Sequence, residues 1–561
     1  LVFLVKKTVG PSTGHKEETY MAEEYDGIII GAGPNGLTVA AYLAKAGLKI
    51  LLLEKRFEAG GGLATEQVTL PGFLHNTHAV YMPMVDYAPP LKDFDDYLTK
   101  DYDLEFAFPS LVMCMVFEDG SSLRLYQDVE KTCESIAEFS KKDAETYRRI
   151  QDRFRTLTED FLGPATYEEA KPAFEQMVKL QATDVGREIS EWTEKTPRGI
   201  VNELFENDRV RTLFLYLSCM WGLHYDLEGV SYLVPLLFNR ATNYRLVVGG
   251  SHHLAHLFTK VLYRHRGMII SPVSVKRIAV ENGAAVGVEL EDGTLYKASK
   301  FVASSLDPYQ TFLKYVGAEN LEDRFVTRTK DWKWEFSSLF HVHLALAEAP
   351  RFKAAEACPD LAEALITIVG FENQDSLVRH YDAIHRGELY PAGFNCCFPS
   401  IHDSKQAPPG RHTALISLHA PYNLKDGGAE RWFRIREQEA KRCVDLLGRY
   451  APNVSGENIL WHYITTPLDI ENKFADMVQG SYKQGAYLPL QMGYLRPNEE
   501  CSQYATPVNK LYLCGASTFP GGLITFGPGY NAANKIAVDL GVERWWSEPE
   551  CVRKAKERGT L

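Results

Sequence analysis

Tyr25-Asp26-Gly27-Ile28-Ile29-Ile30-Gly31-Ala32-Gly33-Pro34-Asn35-Gly36 reads as a buried strand running into a glycine turn. The following residues, through Ala46, are small and apolar at helical spacing, and Lys49–Glu54 reads as a second buried strand. Strand, turn, helix and strand within about thirty residues make one βαβ unit. Short apolar runs without alternation suit a parallel sheet covered on both faces. In such a turn Gly31 permits the tight bend and Gly33 lets backbone approach a pyrophosphate. Gly36 allows the helix to close on the strand. Glu54 ends the second strand, where an acid accepts hydrogen bonds from a ribose. The unit predicts a dinucleotide site and does not by itself choose between FAD and NAD.

Outward from this unit the pattern changes twice. Residues 130–230 read as mostly helical, with Leu213–Leu223 nearly all apolar. Residues 249–312 return to αβ character, with Asn282-Gly283 and Asp292-Gly293 as hairpin turns between short strands. The runs Ser337–Leu346, Ala364–Phe371, Gly393–Pro399, Thr413–His419 and Ile459–Thr466 predict an antiparallel sheet. Residues 511–514 make one more buried strand, before a glycine run and a helix over about 530–540. The expected class is α/β: a Rossmann-like domain assembled from discontinuous segments, plus an α+β substrate domain with an antiparallel sheet and a helical region. The expected boundaries are 25–95, 245–320 and 505–545 for the first. They are 96–244 and 321–504 for the second, with 546–561 a tail. Residues 1–24 read as a disordered extension, with Met21 a candidate start.

Composition narrows the function classes. The chain has 561 residues and a net charge of −12, which argues against nucleic acid as a partner. Its ten cysteines include no pair at redox or zinc-knuckle spacing. They read as reduced, mostly buried thiols, consistent with a cytoplasmic protein. No run approaches the roughly twenty apolar residues of a bilayer span. A peripheral membrane contact stays open. No GxSxG element is present, which counts against a hydrolase.

Two later features favour FAD over NAD. One is Gly60-Gly61-Gly62, just beyond Glu54. The other is the stretch from Leu511 through Gly515, Pro520-Gly521-Gly522 and Gly527-Pro528-Gly529. A helix starting there places its positive end near the flavin edge that becomes negative on reduction. With the Gly249-Gly250-Ser251 element, these motifs resemble those of the phytoene desaturase-like flavoproteins. That group lies within the amine oxidase and glutathione-reductase-type FAD superfamily. Within it, the chain resembles the pyridine nucleotide-disulfide oxidoreductase domain-containing protein 2 type, although it carries no redox dithiol. The resemblance covers most of residues 25–545.

The resemblance implies FAD held by Gly31, Gly33, Gly36, Glu54, Lys55, Gly61, Gly62, Val275, Gly515 and Gly522. Many relatives carry arginine where Gly62 stands, so that contact lacks its residue here. It also implies hydride transfer to flavin from an apolar isoprenoid, terpenoid or alicyclic substrate, with oxygen, a quinone or another acceptor taking the electrons. A flavin amine oxidase, a flavin-assisted double-bond isomerase and a non-catalytic flavin scaffold are the alternatives. His341 and His343 share one face of a predicted strand and are the candidates for the proton step, with His78, His224 and His462 behind them. Tyr81, Trp221, Tyr225 and Phe526 are the candidate pocket wall. No cluster has the ligand set of a metal site.

Overall fold

The computed structural model describes residues 23–561; the expected extension, up to residue 22, lies outside the described residues. The first strand, β1, is Glu24–Ile30, so Glu24 is not part of an extension: it pairs with Lys297. Pro34–Lys45 forms the first helix, α1, and Ile50–Leu53 the second strand, β2. Branched side chains at Ile28, Ile29 and Ile30 suit a strand buried on both faces, and all three are 0–4% exposed. Pro34 fits the first turn of α1, where an amide has no intrahelical partner.

β2 lies between β1 and Met268–Ile270, all three parallel. β1 also pairs in parallel with Leu295–Ser304, whose far end pairs with Leu511–Leu513. Leu295–Ser304 is thus one continuous strand that joins the hairpins to the parallel sheet. Two antiparallel strands, Ala284–Leu290 and Val275–Glu281, extend the edge. Their turn has positive φ at both Asn282 (50°) and Gly283 (75°), as a two-residue hairpin of this hand requires. The C-terminal strand therefore returns to the sheet begun at the N-terminus. Its helix, Gly527–Leu540, starts three residues earlier than expected and packs across α1. Gly529 makes this crossing close, since a Cβ there would stand 2.5 Å from the Asn35 carbonyl oxygen.

The second large sheet runs in the order Ile459–Thr465, Ser338–Leu346, His412–Ala420, Phe394–Cys397, Ile366–Val369, Leu111–Val116, Ser122–Tyr126. Its pairings are antiparallel except that of Ile366–Val369 with Leu111–Val116. Helices between Val129 and Arg240 cover one face, around Phe214, Leu217 and Phe238. Residues 546–561, expected as a tail, carry the helix Glu550–Glu557, and Thr560 Oγ1 donates to the Asp160 carbonyl at 2.6 Å. Among the described residues no helix is long and apolar enough to cross a membrane.

Candidate active site

The turn after β1 and the turn after β2 meet backbone to backbone. Gly31 has φ 92° and Gly61 φ 52°, values that side chains resist. A Cβ on Gly61 would stand 2.9 Å from Gly33 Cα. A Cβ on Gly36 would collide with the Gly31 carbonyl oxygen, so Gly36 serves the closure of helix on strand. A Cβ on Gly33 would project into open space, 4.0 Å from Gly61 Cα. The helix start at Gly33 has no side-chain cap, which leaves amides of the first turn free for an anion. Glu54 is buried, and its two oxygens accept from the Ala32 amide at 2.8 Å and the Arg56 amide at 2.6 Å. Burial raises its pKa despite those bonds.

A cavity beside these turns is lined by Gly33, Gly61, Gly62 and Gly522, drawn from both ends of the chain. Gly31, Gly36 and Gly515 shape the backbone behind it; a Cβ on Gly515 would collide with the Ser305 carbonyl oxygen. Val275 stands at the start of its strand, two residues beyond Val273, whose amide donates to the Glu54 carbonyl at 2.8 Å. Lys55 is exposed. Its neighbour Arg56 reaches inward instead, donating to the Gly61 carbonyl at 3.4 Å and pairing with Glu66 at 3.3 Å. Sequence reasoning missed Asn35, Ser305, Asp476 and Gln484, which also line the cavity. Ser305 had a signal, because it directly follows the end of a parallel strand, where open α/β sheets place ligands. Gln484 donates to Asp476 at 2.6 Å and to the Ser305 carbonyl at 3.0 Å.

A second cavity, of about 330 Å³, adjoins the first and shares Gly522, Leu523 and Thr525 with it. Its walls are mainly apolar, including Trp221, Leu237, Tyr244, Tyr487, Met492 and Phe519. The shared wall is backbone in an unusual state: Leu523 (φ 74°), Ile524 (52°) and Phe526 (59°) all lie in the left-handed region. Such conformations cost of order 1–3 kcal/mol each and persist where surroundings impose them, commonly at functional sites.

Of the four residues expected on the pocket wall, Trp221 lines this cavity. Tyr81 stands behind the wall: its ring stacks on Tyr244 at 5.5 Å and its hydroxyl donates to Asn395 at 3.2 Å. Tyr225 lies elsewhere, because its hydroxyl bonds Asp382 and its ring stacks on His224. Phe526 is core; it caps the helix Gly527–Leu540, and its ring stacks on Phe258.

His341 and His343 are buried on the strand Ser338–Leu346, as the period-2 pattern places them. Neither lines either cavity; His78 lines the first. Burial pulls the His341 pKa down to about 4 and that of His78 to about 3. His224 and His462 lie apart, the first accepting from the Asp226 amide and the second exposed beside Glu437. Among the described residues no group of three or more His, Cys, Asp or Glu is placed to hold a metal ion.

Fold and site together define an oxidoreductase with a Rossmann-like nucleotide-binding domain and a second domain that walls an apolar cavity. Residues 29–98 match the NAD(P)-binding Rossmann-like domain. The chain is 40% identical to a limonene dehydrogenase polypeptide of Castellaniella defragrans, across 96% of this chain and 99% of that one. It is 26% identical to pyridine nucleotide-disulfide oxidoreductase domain-containing protein 2 of Rattus norvegicus, across 92% and 94%. A solved putrescine oxidase variant shares the fold at 16% identity, with a TM-score of 0.60 over 92% of this chain and 99% of that one. The chain belongs to the phytoene desaturase-like oxidoreductases of the amine oxidase-type superfamily.

Proposed function

We propose that the chain is an FAD-dependent dehydrogenase of a compact apolar substrate, a terpenoid of about monoterpene size. The observation that carries this reading is the wall, Gly522-Leu523 with Thr525, common to the glycine-lined cavity and the apolar one. A substrate in the second meets a cofactor in the first across that wall. The glycine-lined cavity suits FAD in its chemistry: backbone without side chains at Gly33 and Gly61, a free helix start, and a buried acid at Glu54. Arg56, at the Gly61 carbonyl, supplies the positive charge that relatives place at Gly62. FAD, when bound, supplies an acceptor for two electrons and a hydrogen taken as hydride. The protein's part is to hold the substrate carbon against it, exclude water and lead a proton away. His341 and His343 belong to that last task.

A volume of about 330 Å³ is at the lower end of the roughly 300–1,000 Å³ usual for small-molecule sites. It favours a ten-carbon ring over a long polyene. The relative that acts on limonene, by its name, is of nearly the same length. Anaerobic addition of limonene or a related monoterpene to the FAD-loaded protein is expected to bleach the flavin, whereas putrescine is not. Bleaching by the amine and by no terpenoid overturns the reading. The electron acceptor in this proposal is oxygen or a quinone.

The cavity rim favours entry from a lipid surface. The helix Ala173–Ala182 contributes Gln176, Lys179 and Leu180 to the lining, yet buries none of its side chains. Phe174 is 75% exposed there, and Leu490, between the lining residues Pro489 and Met492, is 83% exposed. Phosphatidylcholine vesicles are expected to carry the protein up a density gradient, and Phe174→Glu with Leu490→Glu to abolish that flotation. Equal flotation of both proteins removes the rim from the reading.

A further inference from the structure

The dehydrogenation proposed above, on which this inference rests, has to dispose of protons. A hydride and a proton leave two neighbouring substrate carbons as the double bond forms. Two electrons then pass to the acceptor, oxygen or a quinone, and the hydrogen taken as hydride departs as a second proton. Both protons start beside an apolar cavity, where an unpaired charge is costly.

We propose that His78, His341, His343 and His75 form a file that conducts these protons from the glycine-lined cavity to Thr69. His78 stands at the cavity wall. It has room there because position 62 is glycine: a Cβ on Gly62 would lie 3.0 Å from the His78 ring. From His78 the ring centroids step 6.5 Å to His341, 5.9 Å to His343 and 5.4 Å to His75. The His75 Nε2 is 2.7 Å from the hydroxyl of half-buried Thr69. Spans of this size are closed by one bridging water or one turn of a ring. His341 and His343 share a strand face and make the middle of the line, and His75 and His78, from the segment packed against it, make its two ends.

A packing role does not explain these imidazoles. Buried polar atoms are normally partnered, and each left without a partner is destabilising. Yet His78 Nδ1, His341 Nδ1 and both ring nitrogens of His343 have none in the protein. Free nitrogens in succession are what proton transfer along a file needs. The charged groups facing it are Lys473, Arg56 and Glu66, with the Tyr463 ring 6.1 Å from His343. Burial first, and Lys473 after it, disfavour imidazolium at His78 and His343.

The test uses FAD-loaded protein reduced by a light flash with EDTA as donor, in weakly buffered solution with a pH-indicator dye, the protons that oxidised EDTA releases being measured with free FAD under the same flash and subtracted. Reduction draws protons inward along the same line. In the wild type, dye and flavin signals are expected to move together. In His343→Leu, two rings from the cavity, proton uptake is expected to slow by about tenfold or more while FAD stays bound. His75→Gln, at the outer end, gives the same lag and serves where His343→Leu does not fold. His380→Leu, a buried imidazole off the line, is expected to show no lag. Wild-type proton uptake in both His343→Leu and His75→Gln, with flavin bound, overturns the file alone. A folded protein that binds no FAD overturns the proposed function and the file together.

Discussion

Gly33→Val is expected to fold normally and to emerge colourless. The backbone at Gly33 (φ −71°, ψ 177°) is one that valine adopts without strain. The Cβ meets no close contact, its neighbour being Gly61 Cα at 4.0 Å. Thermal stability should therefore stay near the wild-type value. The added carbons occupy the approach of a pyrophosphate to the start of α1, so FAD affinity should fall about 100-fold or more, equivalent to about 2.7 kcal/mol. Gly36→Val is the matched contrast. Its side chain would collide with the Gly31 carbonyl oxygen and separate helix from strand, so that variant should lose the fold first. Flavin absorbance after gel filtration, with a melting curve on each protein, checks both. Full flavin retention by folded Gly33→Val would place the nucleotide elsewhere.

Those two glycines sit in a contiguous motif, which is why their roles were legible. β1, the turn and α1 are local, and the Asn282-Gly283 hairpin follows from the positive φ its turn demands. What the sequence hid was non-local. Nothing in Ile366–Val369 announces that it pairs with Leu111–Val116, or that this pairing alone in its sheet is parallel. Aromatic character did not distinguish Trp221, which lines the cavity, from Phe526, which turns its ring to Phe258. That difference is set by a left-handed backbone at Phe526, invisible to a periodicity argument. Asp476, Tyr482 and Gln484 come from residues 474–498, which hold only short 3-10 turns and no repeating pattern. His341 and His343 were found on one face because a strand alternates; that the same face meets His75 and His78 needed the fold.

Lys483, in that irregular segment, carries the second large effect. Its side chain is fully buried, and its ammonium lies 3.7 Å from Glu335, whose side chain is 2% exposed. The ammonium also donates to the Trp221 carbonyl at 3.3 Å and sits over the Tyr482 and Tyr487 rings at 4.5 and 4.7 Å. The Tyr487 hydroxyl accepts from the Gly522 amide at 3.0 Å, so the pair is coupled to the wall between the two cavities. Lys483→Met is expected to cost about 3–5 kcal/mol, because it strands the Glu335 carboxylate. Lys483→Met with Glu335→Leu should recover only part of that loss, since it removes the stranded carboxylate but leaves the buried Arg496 guanidinium without the one carboxylate near it. The pH dependence separates charge from packing. Burial pulls the Lys483 pKa from its ordinary 10.5 down to about 8. Below pH 8 the folded and unfolded chains both hold the proton. Between about 8 and 10.5 the folded chain releases it first, so the unfolded chain binds more protons and this group's contribution to stability rises with pH. The slope is at most about 1.4 kcal/mol per pH unit. Urea unfolding of wild type and Lys483→Met across that window should show the wild type gaining relative to the variant. Parallel curves would mean that the folded chain keeps the amine protonated across that window just as the unfolded chain does, so that burial does not shift it.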